Sequence, residues 1–82
     1  MKLFVKNINP DINEAQLEGV FAQFGEVLST KIAYDKITWE SKGFAFIEMA
    51  KKADAQKAIE ALNGKELRGK ALLVEEAVEK RR

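Results

Sequence analysis

Large aromatic or charged residues alternate with aliphatic ones, with a period of two, along two stretches of the chain, residues 3–8 (LFVKNI) and 42–49 (KGFAFIEM). That period predicts strands, because successive side chains of an extended chain point to opposite faces. In the first stretch Leu3 and Val5 share one face, while Lys2, Phe4 and Lys6 share the other. In the second, Ala45, Ile47 and Met49 fall together, against Phe44, Phe46 and Glu48. If the two strands are neighbours, the face with Leu3, Val5, Ala45, Ile47 and Met49 is wholly apolar and can carry a core. The opposite face sets three phenylalanines among Lys2, Lys6 and Glu48, whose charges are costly to bury. The pattern therefore predicts three rings turned to water, an arrangement that costs solubility and calls for a use.

Between these strands the period becomes helical. Residues 9–11 (NPD) read as a turn. Asn13 is a suitable N-cap, and Gln16 three residues on completes a capping-box pattern. Leu17, Val20, Phe21 and Phe24 then recur at the spacing of one apolar helix stripe, which assigns Phe21 and Phe24 to the core. Gly25 is expected to end this helix in the left-handed conformation. Residues 27–34 (VLSTKIAY) read as a second strand; with Ile32 inward, positions 29, 31 and 33 share the outer face. Residues 35–41 (DKITWES) are a polar connection that would fold this strand antiparallel to 42–49.

A second helix is predicted over residues 51–62, with Ala55, Ala58, Ile59 and Leu62 as its core stripe and Asn63-Gly64 as its stop. Residues 66–69 turn, and 70–77 form a last strand. There Leu72 and Val74 suit the core, with Ala71, Leu73 and Glu75 outside. The order β-α-β-β-α-β is that of the split βαβ, ferredoxin-like sandwich of the α+β class. Two helices would cover one face of a four-stranded antiparallel sheet and leave the other open. With 82 residues this is one small domain, expected over 1–77, followed by a short basic tail at 78–82 (VEKRR).

The two alternating stretches also carry a resemblance. KGFAFIEM resembles the octamer motif of the RNA recognition motif (RRM) family, and LFVKNI resembles its hexamer. The octamer fits the family pattern at every position but the last, usually aromatic and here Met49. The order and separation of the motifs also fit, and the likeness covers nearly the whole chain, most closely the small single-RRM proteins of bacterial type. It implies a binder of single-stranded RNA, with single-stranded DNA as an alternative ligand. Phe4 and Phe46 are the rings implied to stack on bases, and Phe44 is the other stacking or sugar-contacting ring. Lys42, which opens the octamer, is the implied phosphate contact. Lys2, Lys6 and Lys31 would line the face or its edges.

Two departures stand out. The family commonly carries a glycine in the 35–41 loop where Trp39 stands here, which alters the expected loop and adds a ring near the face. Leu73 replaces what is often a polar or basic residue.

Charge and composition narrow the function classes. The net charge is only +1, weak for a nucleic-acid binder. Asp11, Glu14, Glu18 and Glu26 gather around the first helix, which leaves a modest positive balance on the ring face. The chain has neither cysteine nor histidine, which excludes disulfides, soft-metal sites, thiol nucleophiles and histidine acid–base chemistry. Ser29 and Ser41 have no base to activate them, so no catalytic residue, metal site or cofactor is expected. No long apolar run suggests a signal peptide or membrane span, and a cytoplasmic monomer is the expectation. The rival reading is a protein-interaction module on the same fold, using the sheet or the helical face. Near-neutral charge, Trp39 and Leu73 favour that rival, and the intact set of three rings opposes it.

Overall fold

A computed structural model describes residues 1–77 of the chain; the expected basic tail at 78–82 lies outside the described residues. The elements run β1 (Lys2–Lys6), α1 (Glu14–Ala22), β2 (Val27–Tyr34), β3 (Ser41–Met49), α2 (Lys52–Leu62), β4 (Glu66–Leu67), β5 (Lys70–Ala71) and β6 (Leu73–Glu76). Four strands form one sheet in the order β2-β3-β1-β6, with every pairing antiparallel. This is the ferredoxin-like α+β sandwich that the element order implied.

The face of β1 and β3 that could carry a core does so. Leu3, Val5, Ala45, Ile47 and Met49 have no exposed surface; Leu17, Phe21, Ala55, Ala58 and Leu62 of the two helices pack with them, and Ile8, Ile12, Ile32, Leu72 and Val74 join the same core. Burying side chains of this size stabilises by roughly 1.5–3 kcal/mol for each large aliphatic or aromatic one, which fixes the sheet's register and leaves its other face open.

Helix α1 begins where its capping box put it. The Gln16 N–H donates to Asn13 Oδ1 at 2.7 Å, and the Asn13 N–H donates to Gln16 Oε1 at 3.0 Å. Glu14, in the first turn, accepts the Ile32 N–H of edge strand β2 at 3.0 Å and so ties helix to sheet. Gly25 does not end the helix as expected. The C-cap is Gln23 in right-handed geometry, and Gly25 lies beyond it at φ 158°. Its need for glycine is steric: a Cβ there would overlap the Asp54 side chain of α2.

The last segment also differs from expectation. Residues 66–77 are not a turn and one strand but a two-stranded hairpin, β4–β5, followed by β6. Arg68 and Gly69 both have positive φ (52° and 87°), the geometry of a two-residue type I′ hairpin turn. Leu72, between β5 and β6, donates its N–H to Lys65 O at 2.9 Å and accepts from the Gly64 N–H at 2.6 Å, while its side chain is buried. The hairpin is moored to the β1–α1 loop, where Asn7 Nδ2 donates to Ala71 O (2.8 Å) and Asn9 Nδ2 to Arg68 O (2.9 Å).

Candidate nucleic-acid interface

Register places the open face in rows. Phe4 lies opposite Phe46 of β3 and Glu75 of β6; Lys6 lies opposite Phe44 and Leu73; Lys2 lies opposite Glu48. From β2, Lys31 pairs with Phe46 and Ser29 with Glu48. The three rings meet. Phe4 and Phe46 are stacked with centroids 4.9 Å apart and planes 14° apart. Phe44 stands edge-on to both, at 5.7 Å from Phe4 and 6.5 Å from Phe46. Such contacts add about 0.5–1.5 kcal/mol per pair beyond area burial. They also shield the rings. Phe46 is 40% exposed, while Phe4 and Phe44 are half-buried, so the rings turn to water less fully than alternation alone implied.

Charge is distributed unevenly around the rings. The Lys6 ammonium lies 5.3 Å from the Phe4 centroid and 3.6 Å from Glu75 Oε1. Both partners of this ion pair are well solvated, so it contributes about 0–1 kcal/mol. A cavity of about 400 Å³ beside Phe44 includes Lys6, Lys42, Lys70, Asn7 and Leu73 in its lining. A smaller one, about 210 Å³, lies beside Phe46 and is lined by Lys2, Ser29, Lys31, Phe46 and Glu48. The first is cationic around a ring; the second mixes donors with one carboxylate.

All seven residues expected at the site thus flank or form one surface: Phe4, Phe44, Phe46 and Lys6 in contact, Lys2 and Lys31 at the Phe46 end, Lys42 at the Phe44 end. Glu48 and Ser29 were legible on this face by alternation but given no role in it. Lys70 was missed for a physical reason. Strict alternation through 70–77 puts it in phase with Leu72 and Val74, facing the core, but Lys70 belongs to the separate β4–β5 hairpin and not to the four-stranded sheet, and it is exposed.

The β2–β3 loop is tightly closed. Asp35 Oδ1 accepts the Ile37 N–H at 2.8 Å and the Thr38 N–H at 3.1 Å. The Thr38 N–H above all, then that of Ile37, holds the Asp35 carboxyl below the ordinary aspartate range, helped by the Lys42 charge and opposed by desolvation. The Asp35 N–H donates to Glu40 O and the Trp39 N–H to Asp35 O, at 2.8 and 2.9 Å. Trp39 closes the loop at φ 61°, the conformation a glycine would adopt freely, with its side chain 74% exposed.

On the helical side, a cavity of about 220 Å³ lies among Val20, Gln23, Leu62, Leu67 and Leu72, with Lys65 and Glu66 at its lining. It brings no ring cluster together. Among the described residues no group of acidic, histidine or cysteine side chains is placed to hold a metal ion, and no helix is long and apolar enough to cross a membrane.

A model of the RNA recognition motif family matches residues 3–73. This chain belongs to that family. Among solved RRM relatives, the RNA binding protein PG1 is 39% identical, with a TM-score of 0.93 over 100% of this chain and 99% of that one. A chain from an Sxl-lethal protein/RNA complex is 31% identical with a TM-score of 0.91; the match covers 98% of this chain and 48% of that longer one. The Rna15 RRM with bound RNA (GU) is 28% identical, with a TM-score of 0.87 over 95% and 83% of the two chains.

Proposed function

We propose that this RRM binds single-stranded RNA on its open sheet face, by stacking bases on Phe46 and Phe4, packing a sugar or base on Phe44, and holding phosphates with lysines. The observation that carries this is the cluster of three rings on an otherwise polar surface, with Lys6, Lys31 and Lys42 around it. An unpaired base has a free face to stack, and stacking tolerates any base. The two RNA-bound relatives support the same class of ligand.

The geometry ranks the rings. Phe46 is the most open and takes the first base. Phe4 lies under the Lys6 ammonium, so a base reaches it as Lys6 swings away to a phosphate. Stacking is worth roughly 1–3 kcal/mol per base. Two or three stacks, reduced by the cost of ordering the strand, give roughly micromolar binding of about two to four nucleotides.

The test is an amide-shift titration with a short random-sequence single-stranded RNA at moderate salt. Shifts should centre on Phe4, Lys42, Phe44 and Phe46. Phe44→Ala with Phe46→Ala should keep the native amide spectrum and weaken binding by about tenfold or more. Neither ring is in the core, so the stability lost should fall short of the roughly 3–5 kcal/mol of a core Phe→Ala change. Unchanged affinity would sink the proposal. Absence of shifts at millimolar RNA would move the function to a protein partner, the reading favoured by exposed Ile37 (88%), Trp39 (74%) and Leu73 (50%).

A further inference from the structure

The cavity beside Phe46 differs from its neighbour in holding a carboxylate. Glu48 follows Phe46 by two residues on the same face of β3, opposite Ser29, and Lys31 stands opposite Phe46. Glu48 is exposed, with Lys2 of β1 opposite it in the lining of the same cavity. A base stacked on Phe46 would bring its edge toward the Glu48 carboxylate.

An ionised carboxylate only accepts hydrogen bonds, through two oxygens that suit a pair of parallel donors. Guanine alone among the four bases offers two such donors side by side, N1–H and the N2 amino group. Adenine and cytosine set a ring-nitrogen acceptor beside their amino group. Uracil has one N–H between two carbonyls. Every base but guanine therefore turns a lone pair toward one carboxylate oxygen. The guanine O6 beside those donors is an acceptor, suited to the Lys31 ammonium or the Ser29 hydroxyl. Resting on the RNA-binding reading above, we infer that the Phe46 cavity is a guanine-selecting subsite, with Glu48 as the residue that reads the base and Lys31 as its counterpart on O6.

The test compares a uridine tetranucleotide with four versions carrying one guanosine, at each position in turn, by amide shifts and by affinity. One guanosine version should bind about tenfold tighter or more than the all-uridine strand, the discrimination a good bidentate base contact gives. Inosine in its place, which lacks only the N2 amino group, should lose most of that gain on the unaltered protein. Adenosine and cytidine should gain little. In Glu48→Gln, whose amide offers one acceptor and one donor, the guanosine-to-uridine affinity ratio should collapse toward one. Equal binding of all strands, or a ratio that survives both inosine and Glu48→Gln, overturns the subsite and leaves RNA binding standing. If no strand binds at millimolar concentration, the RNA-binding reading falls and takes the subsite with it.

Discussion

Trp39 shows how one residue can contradict its backbone. A non-glycine residue in the left-handed region carries its Cβ too close to the next carbonyl, at a cost of about 1–2 kcal/mol. The closed hydrogen bonds of the loop hold Trp39 there regardless. Two substitutions separate ring from backbone. Both Trp39→Gly and Trp39→Ala remove the exposed side chain, but only glycine removes the clash. Part of that relief is offset by the greater freedom of glycine in the unfolded chain. Trp39→Gly should therefore be the more stable of the two by about 1 kcal/mol, read from urea midpoints. The sequence made this residue conspicuous through the glycine that relatives carry. It could not tell whether the loop or the residue would yield, because that depends on hydrogen bonds made by Asp35, four positions earlier in the chain.

At the scale of elements, legibility followed length. β1, β3 and both helices run through several periods of their pattern, and their faces and the capping box of α1 were readable from the sequence. β4 and β5 have two residues each, too few for any period, and their pairing rests on the positive φ of Arg68 and Gly69. Gly25 was read as punctuation because it follows an apolar stripe. Its constraint comes instead from α2, distant in sequence, whose Asp54 fills the space a side chain would need. Gly25→Ala should accordingly destabilise the fold by about 1–3 kcal/mol, as overpacking does, visible as a lower denaturant midpoint with an unchanged slope.

Across the whole molecule, a net charge of +1 limits what electrostatics can supply. If about two to four lysines meet phosphates, the slope of log affinity against log salt should lie between about −1.4 and −2.8, at roughly −0.7 per contact for a single strand. A much steeper slope would mean that charge and not stacking dominates. The ring face was legible because only one choice of faces buried no charge. Its internal geometry was not. The stacking of Phe4 on Phe46 and the ammonium over Phe4 depend on how rows from three strands line up.

That line-up has a consequence for how the protein comes into being. β2 and β3 are consecutive and can pair early, as a local hairpin. β1, in the middle of the sheet, must wait for β3 on one side and for β6, near the opposite end of the described chain, on the other; the Ala77 N–H closes on Lys2 O at 2.9 Å. Contacts so far apart in sequence form late and together, after the cost of loop closure has been met. Phe4 joins Phe44 and Phe46 only at that stage. A partly folded chain with β2 paired to β3 would bring Phe44 and Phe46 together but not Phe4, so the three-ring surface is completed only with the docking of a single strand.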